Sequence, residues 1–206
     1  MKPTTALLAL LISCSLFAQN GNSTEILDSG KKKFPVESGK ITYTIDGTAS
    51  GQATCYFDRY GWRQMLIKEI TLEQYGIKST EKTMVLIDGD KIFSVNQSSK
   101  KGTKSSDPRW SQLAAYKENS EILSIVLEDD GGIKGKDSTL VGKPVQLWTF
   151  GKGLVKSAYV WNGLNLMETK SAGKLAYKMT ATDFMESKID ESVFVLPNEI
   201  EWVDLN

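Results

Sequence analysis

The stretch from Lys143 to Thr169, KPVQLWTFGKGLVKSAYVWNGLNLMET, carries the plainest structural signal in this chain. Two runs rich in Val, Leu, Trp, Phe and Tyr flank Gly151-Lys152-Gly153. A second turn signal, Asn162-Gly163, separates Tyr159-Val160-Trp161 from Leu164-Asn165-Leu166-Met167. Asn-Gly between alternating apolar runs is a strong hairpin signal, because both residues tolerate the positive φ of a type I′ turn. The spacing predicts three consecutive antiparallel strands, Val145–Phe150, Val155–Trp161 and Leu164–Thr169.

Upstream the same grammar repeats. Gly39 to Ile45 (GKITYTI) alternates, with Ile41, Tyr43 and Ile45 on one face, as a half-buried strand does. Gln52–Tyr56, Trp62–Leu72, Thr83–Ile87 and Lys91–Asn96 follow, separated by turns at Asp46–Gly51, Asp58–Gly61 and Asp88–Asp90, with Tyr75 to Glu81 read as a loop. Strand-plus-turn units about every ten residues predict a meandering antiparallel sheet. Gln97 to Pro108 (QSSKKGTKSSDP) reads as a surface connector, the functional alternative being a mobile lid.

From Arg109 to Glu128 the period changes. Trp110, Leu113, Ala114, Ile122, Leu123, Val126 and Leu127 recur at three- and four-residue spacing, with a break at Asn119-Ser120 where Ser120 caps a second short helix. Gly173 to Thr182 supplies a further strand, with Leu175, Tyr177 and Met179 on one face. Ile189, Val193, Phe194 and Val195 are read as pinning the C-terminal segment to the sheet edge, and Pro197 as blocking further pairing. One amphipathic helix fills a shell of seven or more strands only if the sheet curls round it. The expected class is α+β: a curved antiparallel sheet, an incomplete β-barrel, wrapped over one or two helices.

The first 18 residues read as a secretory signal, with Lys2 ahead of a short apolar run from Ala6 to Ile12 and a polar stretch after Ala18-Gln19. Residues 19–33 are a flexible leader and 34–206 one domain. The run is too short to span a bilayer. Leu11-Ile12-Ser13-Cys14 also fits a lipoprotein cleavage site, so export to the periplasm has an alternative, a lipid anchor at Cys14.

The inventory excludes much chemistry. Lys+Arg and Asp+Glu balance at 25 each, which argues against a nucleic-acid surface. The chain has no histidine, which removes His-centred triads, zinc sites and a His base. Cys55 is the one cysteine beyond the signal, sits in an apolar strand pattern and reads as a small buried hydrophobe. No Gly-rich phosphate loop is present. Asp88/Asp90 and Asp129/Asp130 are carboxylate pairs of the kind a glycosidase needs, but at Asp-Gly turns they read as turn formers. No cofactor or metal is implied, and the reading is non-enzymatic.

The order of signal, strands, central helical insertion, strand triplet and closing Ile189-Asp190-x-Ser192-x-Phe194-x-x-Pro197 resembles the bacterial LolA/LolB-type periplasmic lipoprotein carriers and receptors. The segments TCYFDRYG (Thr54–Gly61) and YVWNGLNL (Tyr159–Leu166) are also similar to a secreted bacterial family without an assigned function. The resemblance implies a half-barrel over helices with an apolar cavity of roughly several hundred Å³ that shields acyl chains. The candidate lining is Trp62, Met65, Ile67, Met84, Leu86, Trp148, Trp161, Leu164, Leu166 and Met179, with Trp110, Leu113 and Leu123 from the helix. The same residues would also serve as plain core. No residue matches the carriers' cavity arginine, Arg59 and Arg63 being read as exposed near a turn. The implied partners are an apolar ligand or lipid acyl chain and a membrane lipoprotein, with no nucleic acid, for a monomeric chain. The competing reading is an interaction module with a fully packed half-barrel and no cavity.

Overall fold

The structure is a computed structural model that describes residues 32–74, 76–107, 126–173 and 175–205. Its strands are β1 (Gly39–Gly47), β2 (Ala49–Asp58), β3 (Arg63–Gln74), β4 (Ile77–Asp88), β5 (Lys91–Asn96) and β6 (Lys101–Ser106). They continue with β7 (Gly132–Leu140), β8 (Lys143–Phe150), β9 (Val155–Trp161), β10 (Leu164–Ala172), β11 (Leu175–Glu186) and β12 (Glu201–Asp204). All lie in one sheet in the order β12-β6-β5-β4-β3-β2-β1-β11-β10-β9-β8-β7. Every ladder is antiparallel except β12 on β6, which is parallel. The two ends, β12 and β7, are edges, so the half-barrel is unclosed.

Helix is scarce. Among the described residues there is one α-helical turn at 126–129, with 3₁₀ turns at Arg59–Gly61 and Glu191–Phe194. The described fold is therefore β-dominated and not the expected α+β arrangement on one or two helices. The helix expected over Arg109–Glu128 falls mostly on 108–125, outside the described residues, as do the signal, Cys14 and nearly all of the leader.

The strand triplet stands where the hairpin chemistry puts it. Asn162 has φ 42° and Gly163 φ 95°, the paired positive values of the turn joining β9 to β10. Three expectations change. Residues 77–81 extend β4, because the β3–β4 ladder runs on to Gln74↔Ile77 and leaves only a tight turn at Gly76. The expected connector holds β6, which bonds to β5 and β12 on either side. Its pairing needs backbone only, and Gly102 lies under Trp202 with no room for a Cβ, 2.6 Å from the ring. The chain after Pro197 does pair again, as β12, after a non-strand segment long enough to re-enter the sheet. A further strand, β7, carries no alternating apolar pattern because it is a mostly exposed edge.

The sheet is curved, and its register shows which face is concave. Leu66 and Lys68 on β3 share a face with Cys55 and Ala53 on β2, and these with Ile41 and Tyr43 on β1. On that face one cluster runs from Val145 on β8 through Leu166, Met179, Ile45 and Ile41 to Phe57 on β2. Lys143 on β8 pairs with Glu186 on β11 at 3.3 Å and lies 4.8 Å over the Phe184 ring, although β9 and β10 intervene. Side chains stand off a sheet, so such contacts demand curl toward this inner face. Register shifts within β1–β11 and β9–β10 bend the strands. Gly51 packs so closely that a Cβ would collide with the Glu69 carbonyl. Burying each large side chain, such as Ile41, Phe57 or Leu166, stabilises by about 1.5–3 kcal/mol.

The outer face of β2–β5 is covered by the C-terminal segment. Met65, Met84, Leu86 and Val95 pack with Phe194, and Ile189, Val193, Leu196, Ile200 and Trp202 surround them. Thus Ile189, Val193 and Phe194 pack on a face, not at the edge, while Val195 points outward at 65% exposure. The anchor is Arg63, which is 7% exposed and not the surface residue expected from its place near a turn. It pairs with Asp58, donates to both Glu191 carboxylate oxygens at 2.6 and 2.8 Å, and lies 4.2 Å over the Phe194 ring. Asp190 caps the turn by accepting from the Ser192 N–H at 2.9 Å. Hydrogen bonds to Arg63 and Ser192 hold the Glu191 and Asp190 carboxyls below their ordinary range.

Arg63→Ala should lower stability in urea unfolding by about 2 kcal/mol, less than for a fully buried pair because Glu191 can rehydrate. Arg63→Lys should recover only part of it, since lysine lacks the fork that holds two carboxylates. Unchanged stability in Arg63→Ala would remove this residue as the anchor of the C-terminal segment.

Candidate functional site

The structure divides the expected lining between two faces. Leu164, Leu166 and Met179 belong to the inner-face cluster, with Trp161 packed against it. Trp148 is buried with Ala158 and Val160 near Phe150. Met65, Ile67, Met84 and Leu86 lie together on the outer face beneath the C-terminal segment. Strand alternation is the reason: Met65 and Ile67 are out of phase with Leu66 and Lys68. Trp62 is buried at the β2–β3 corner. Trp110, Leu113 and Leu123 lie outside the described residues.

Sequence reading missed what sits among the inner apolar residues. Lys68, Lys170 and Glu168 are 5%, 7% and 8% exposed. Lys68 is in phase with Leu66, Ile70 and Leu72 on β3, while Glu168 and Lys170 continue the buried rhythm of Leu164 and Leu166 on β10. A charged residue in phase with an apolar strand face was the available signal. Lysine and glutamate are almost never this buried unless paired.

Glu168 is well provided for. Lys170 Nζ lies 2.8 Å from its Oε1, and Asn165 Nδ2 donates to its Oε2 at 3.1 Å. Lys68 has no hydrogen bond or ion pair with any described residue, though Lys170 and Glu168 both act on it electrostatically. Four strand spacings separate β3 from β10, roughly 19 Å in a flat sheet. Their interaction is a further consequence of the curl.

Tyrosines complete the cluster. The Tyr43 hydroxyl donates to the Asn165 carbonyl at 2.8 Å, and burial pushes its pKa well up, with Cys55 and Glu168 adding to the effect. Tyr177 Oη is buried without a hydrogen-bond partner among the described residues, and burial, then Glu168, raises its pKa too. Burial pushes the Cys55 thiol up to about 12, so it is held as the neutral thiol. Beside Lys170 and Tyr177, a hollow lined also by Leu154, Ser171, Ala172 and Leu175 has room for about one water molecule.

Among solved structures, an uncharacterised conserved protein from Thermus thermophilus matches over 88% of this chain and 98% of its own, with a TM-score of 0.51 and 10% identity. The likeness is one of fold. Weaker matches are the Pseudomonas aeruginosa MucA/MucB complex (TM-score 0.43, 11% identity, 89% of this chain and 64% of that one) and LprF from Mycobacterium bovis (TM-score 0.37, 10% identity, 90% and 100%). The chain matches no protein-family model and no curated relative.

The cluster has a measurable cost. Burial first, and Lys170 second, lower the Lys68 pKa from 10.5 to about 8, against the opposing pull of Glu168. The unfolded chain keeps this proton up to the higher value. Between the two, the native state binds fewer protons and stability rises with pH; below about pH 8 the penalty is fully present, about 3 kcal/mol. Lys68→Met should therefore be more stable than wild type by roughly that order at pH 7 in urea unfolding. The advantage should shrink as pH approaches 10. A variant that is less stable, or whose advantage ignores pH, would contradict the strained state of Lys68.

Proposed function

We propose that this chain is a non-enzymatic protein of the bacterial periplasm that binds a lipid or other apolar ligand on the inner face of its half-barrel. One observation carries the reading: an unclosed sheet whose curl gathers one apolar cluster from β8 to β2 on its inner face. An acyl chain gains about 0.8 kcal/mol for each CH₂ removed from water, and a concave apolar surface offers that removal without a membrane. Met179 suits the role because a flexible thioether side chain repacks round a chain of variable shape. The sequence resemblance to LolA/LolB-type carriers supports the same reading, with a membrane lipoprotein as the macromolecular partner, and so does the half-barrel fold. A balanced net charge fits a chain with no nucleic-acid partner.

A second reading is favoured by the outer face sealed under the C-terminal segment. It is a packed interaction module that meets its partner along a sheet edge.

The two readings part in native mass spectrometry of protein purified without detergent from a bacterial envelope. The ligand-binding reading expects a co-purifying lipid mass, lost on organic extraction, and rebinding of a fluorescent fatty-acid probe. A clean apo mass with no probe binding would overturn it in favour of the packed module.

A further inference from the structure

Among the described residues, the charged cluster of the inner face carries one positive charge more than its carboxylate balances. Lys170 and Glu168 neutralise each other at 2.8 Å, and Asn165 fills a further position on the carboxylate. Lys68 is only 5% exposed, and no described residue pairs with it. An isolated ammonium in such a place is costly, so this face is electrostatically matched to an anion that the described chain does not supply. A second donor points the same way. The Tyr177 hydroxyl is buried on the same face, senses the same Glu168 and has no acceptor among the described residues. It also lines the hollow with Lys170, next to the apolar Leu154, Ala172 and Leu175.

We propose that the ligand of the inner face is a single-chain amphiphile with a monoanionic head, held by the Lys68 ammonium and the Tyr177 hydroxyl, its chain lying on the neighbouring apolar residues. The proposal rests on the apolar-ligand reading and adds the class of head group. A carboxylate is the smallest head that fits: it carries the single negative charge that balances Lys68, and it accepts from both an ammonium and a hydroxyl. The nearest neighbours in register are apolar: Ala53 and Leu66 beside Lys68, and Met179 between Ile45 and Glu168. A head group placed there is screened from water, where a charge-assisted hydrogen bond counts most. Lys170 stays with Glu168, whose own negative charge repels a dianionic head.

The test compares dodecanoate with dodecanol, which share a chain and differ in head charge, by tryptophan fluorescence titration at pH 7. Wild type should prefer the acid by at least about tenfold, the usual strength of a charge-assisted hydrogen bond. Lys68→Met should bring the ratio of the two affinities close to one, and Tyr177→Phe should lower it a few-fold. Lys78→Met, which removes an exposed lysine on β4, should keep the wild-type ratio. Because Lys68→Met is expected to be the more stable protein, loss of preference would not reflect unfolding. Equal binding of acid and alcohol by wild type, or a preference that survives Lys68→Met, would overturn the head-group seat and leave the apolar-ligand reading standing. No binding of either would overturn both.

Discussion

Both faces of this protein take their shape from the curl of an unclosed sheet. The twelve described strands, with β12 and β7 as edges, have no ladder between their ends to hold them in a barrel, so the bend must be written into the strands themselves. Here it comes from register shifts in β1–β11 and β9–β10 and from close backbone approaches at Gly51 and Gly47, where a Cβ would strike a neighbouring carbonyl. Curl brings Val145 on β8 into the same cluster as Phe57 on β2, and Lys68 on β3 within electrostatic reach of Glu168 on β10. A flatter sheet would keep the strands and lose the site.

The two faces then do different work. The outer face of β2–β5 is closed by the chain itself, with the Arg63–Glu191 fork and the Phe194 ring fastening the C-terminal segment and β12 completing the edge. Its aromatic and methionine residues are core. The inner face is apolar but not uniformly so: Lys68 is buried there with no ion-pair partner among the described residues, and burial lowers its pKa. A buried lysine that no described residue pairs is the kind of local inconsistency that marks function, because a purely structural core would hold leucine there. The apolar-ligand reading gives that lysine a reason to be there.

Much of this fold was legible from sequence wherever a strand buries one face and so alternates. The hairpin at Asn162-Gly163 and the strands Val155–Trp161 and Lys91–Asn96 were readable residue by residue, since turn chemistry and period agree. β6, β7 and β12 were not. They lie at or next to the edges, form mainly through backbone hydrogen bonds, and their side chains therefore carry little pattern. The burial of Arg63 was hidden because its partners are Asp58, five residues away, and Glu191, far along the chain. The candidate lining was half legible: composition picked out large apolar residues, but only the phase of β3 separates Met65 and Ile67, which face outward, from Leu66 and Lys68, which face in. Attention to phase would also have shown Lys68, Glu168 and Lys170 falling on positions that the rhythm reserves for apolar side chains.

Carbon-detected NMR of the labelled Lys68 side chain, titrated in the ligand-free protein and with saturating dodecanoate, reads the inner face at its critical point. Without ligand the midpoint should lie near 8, for burial beside Lys170, and it should move clearly upward when a carboxylate supplies the missing partner. A midpoint at the ordinary 10.5 of a solvated lysine, unmoved by the acid, would contradict both the burial of Lys68 and its role as the seat of the head group.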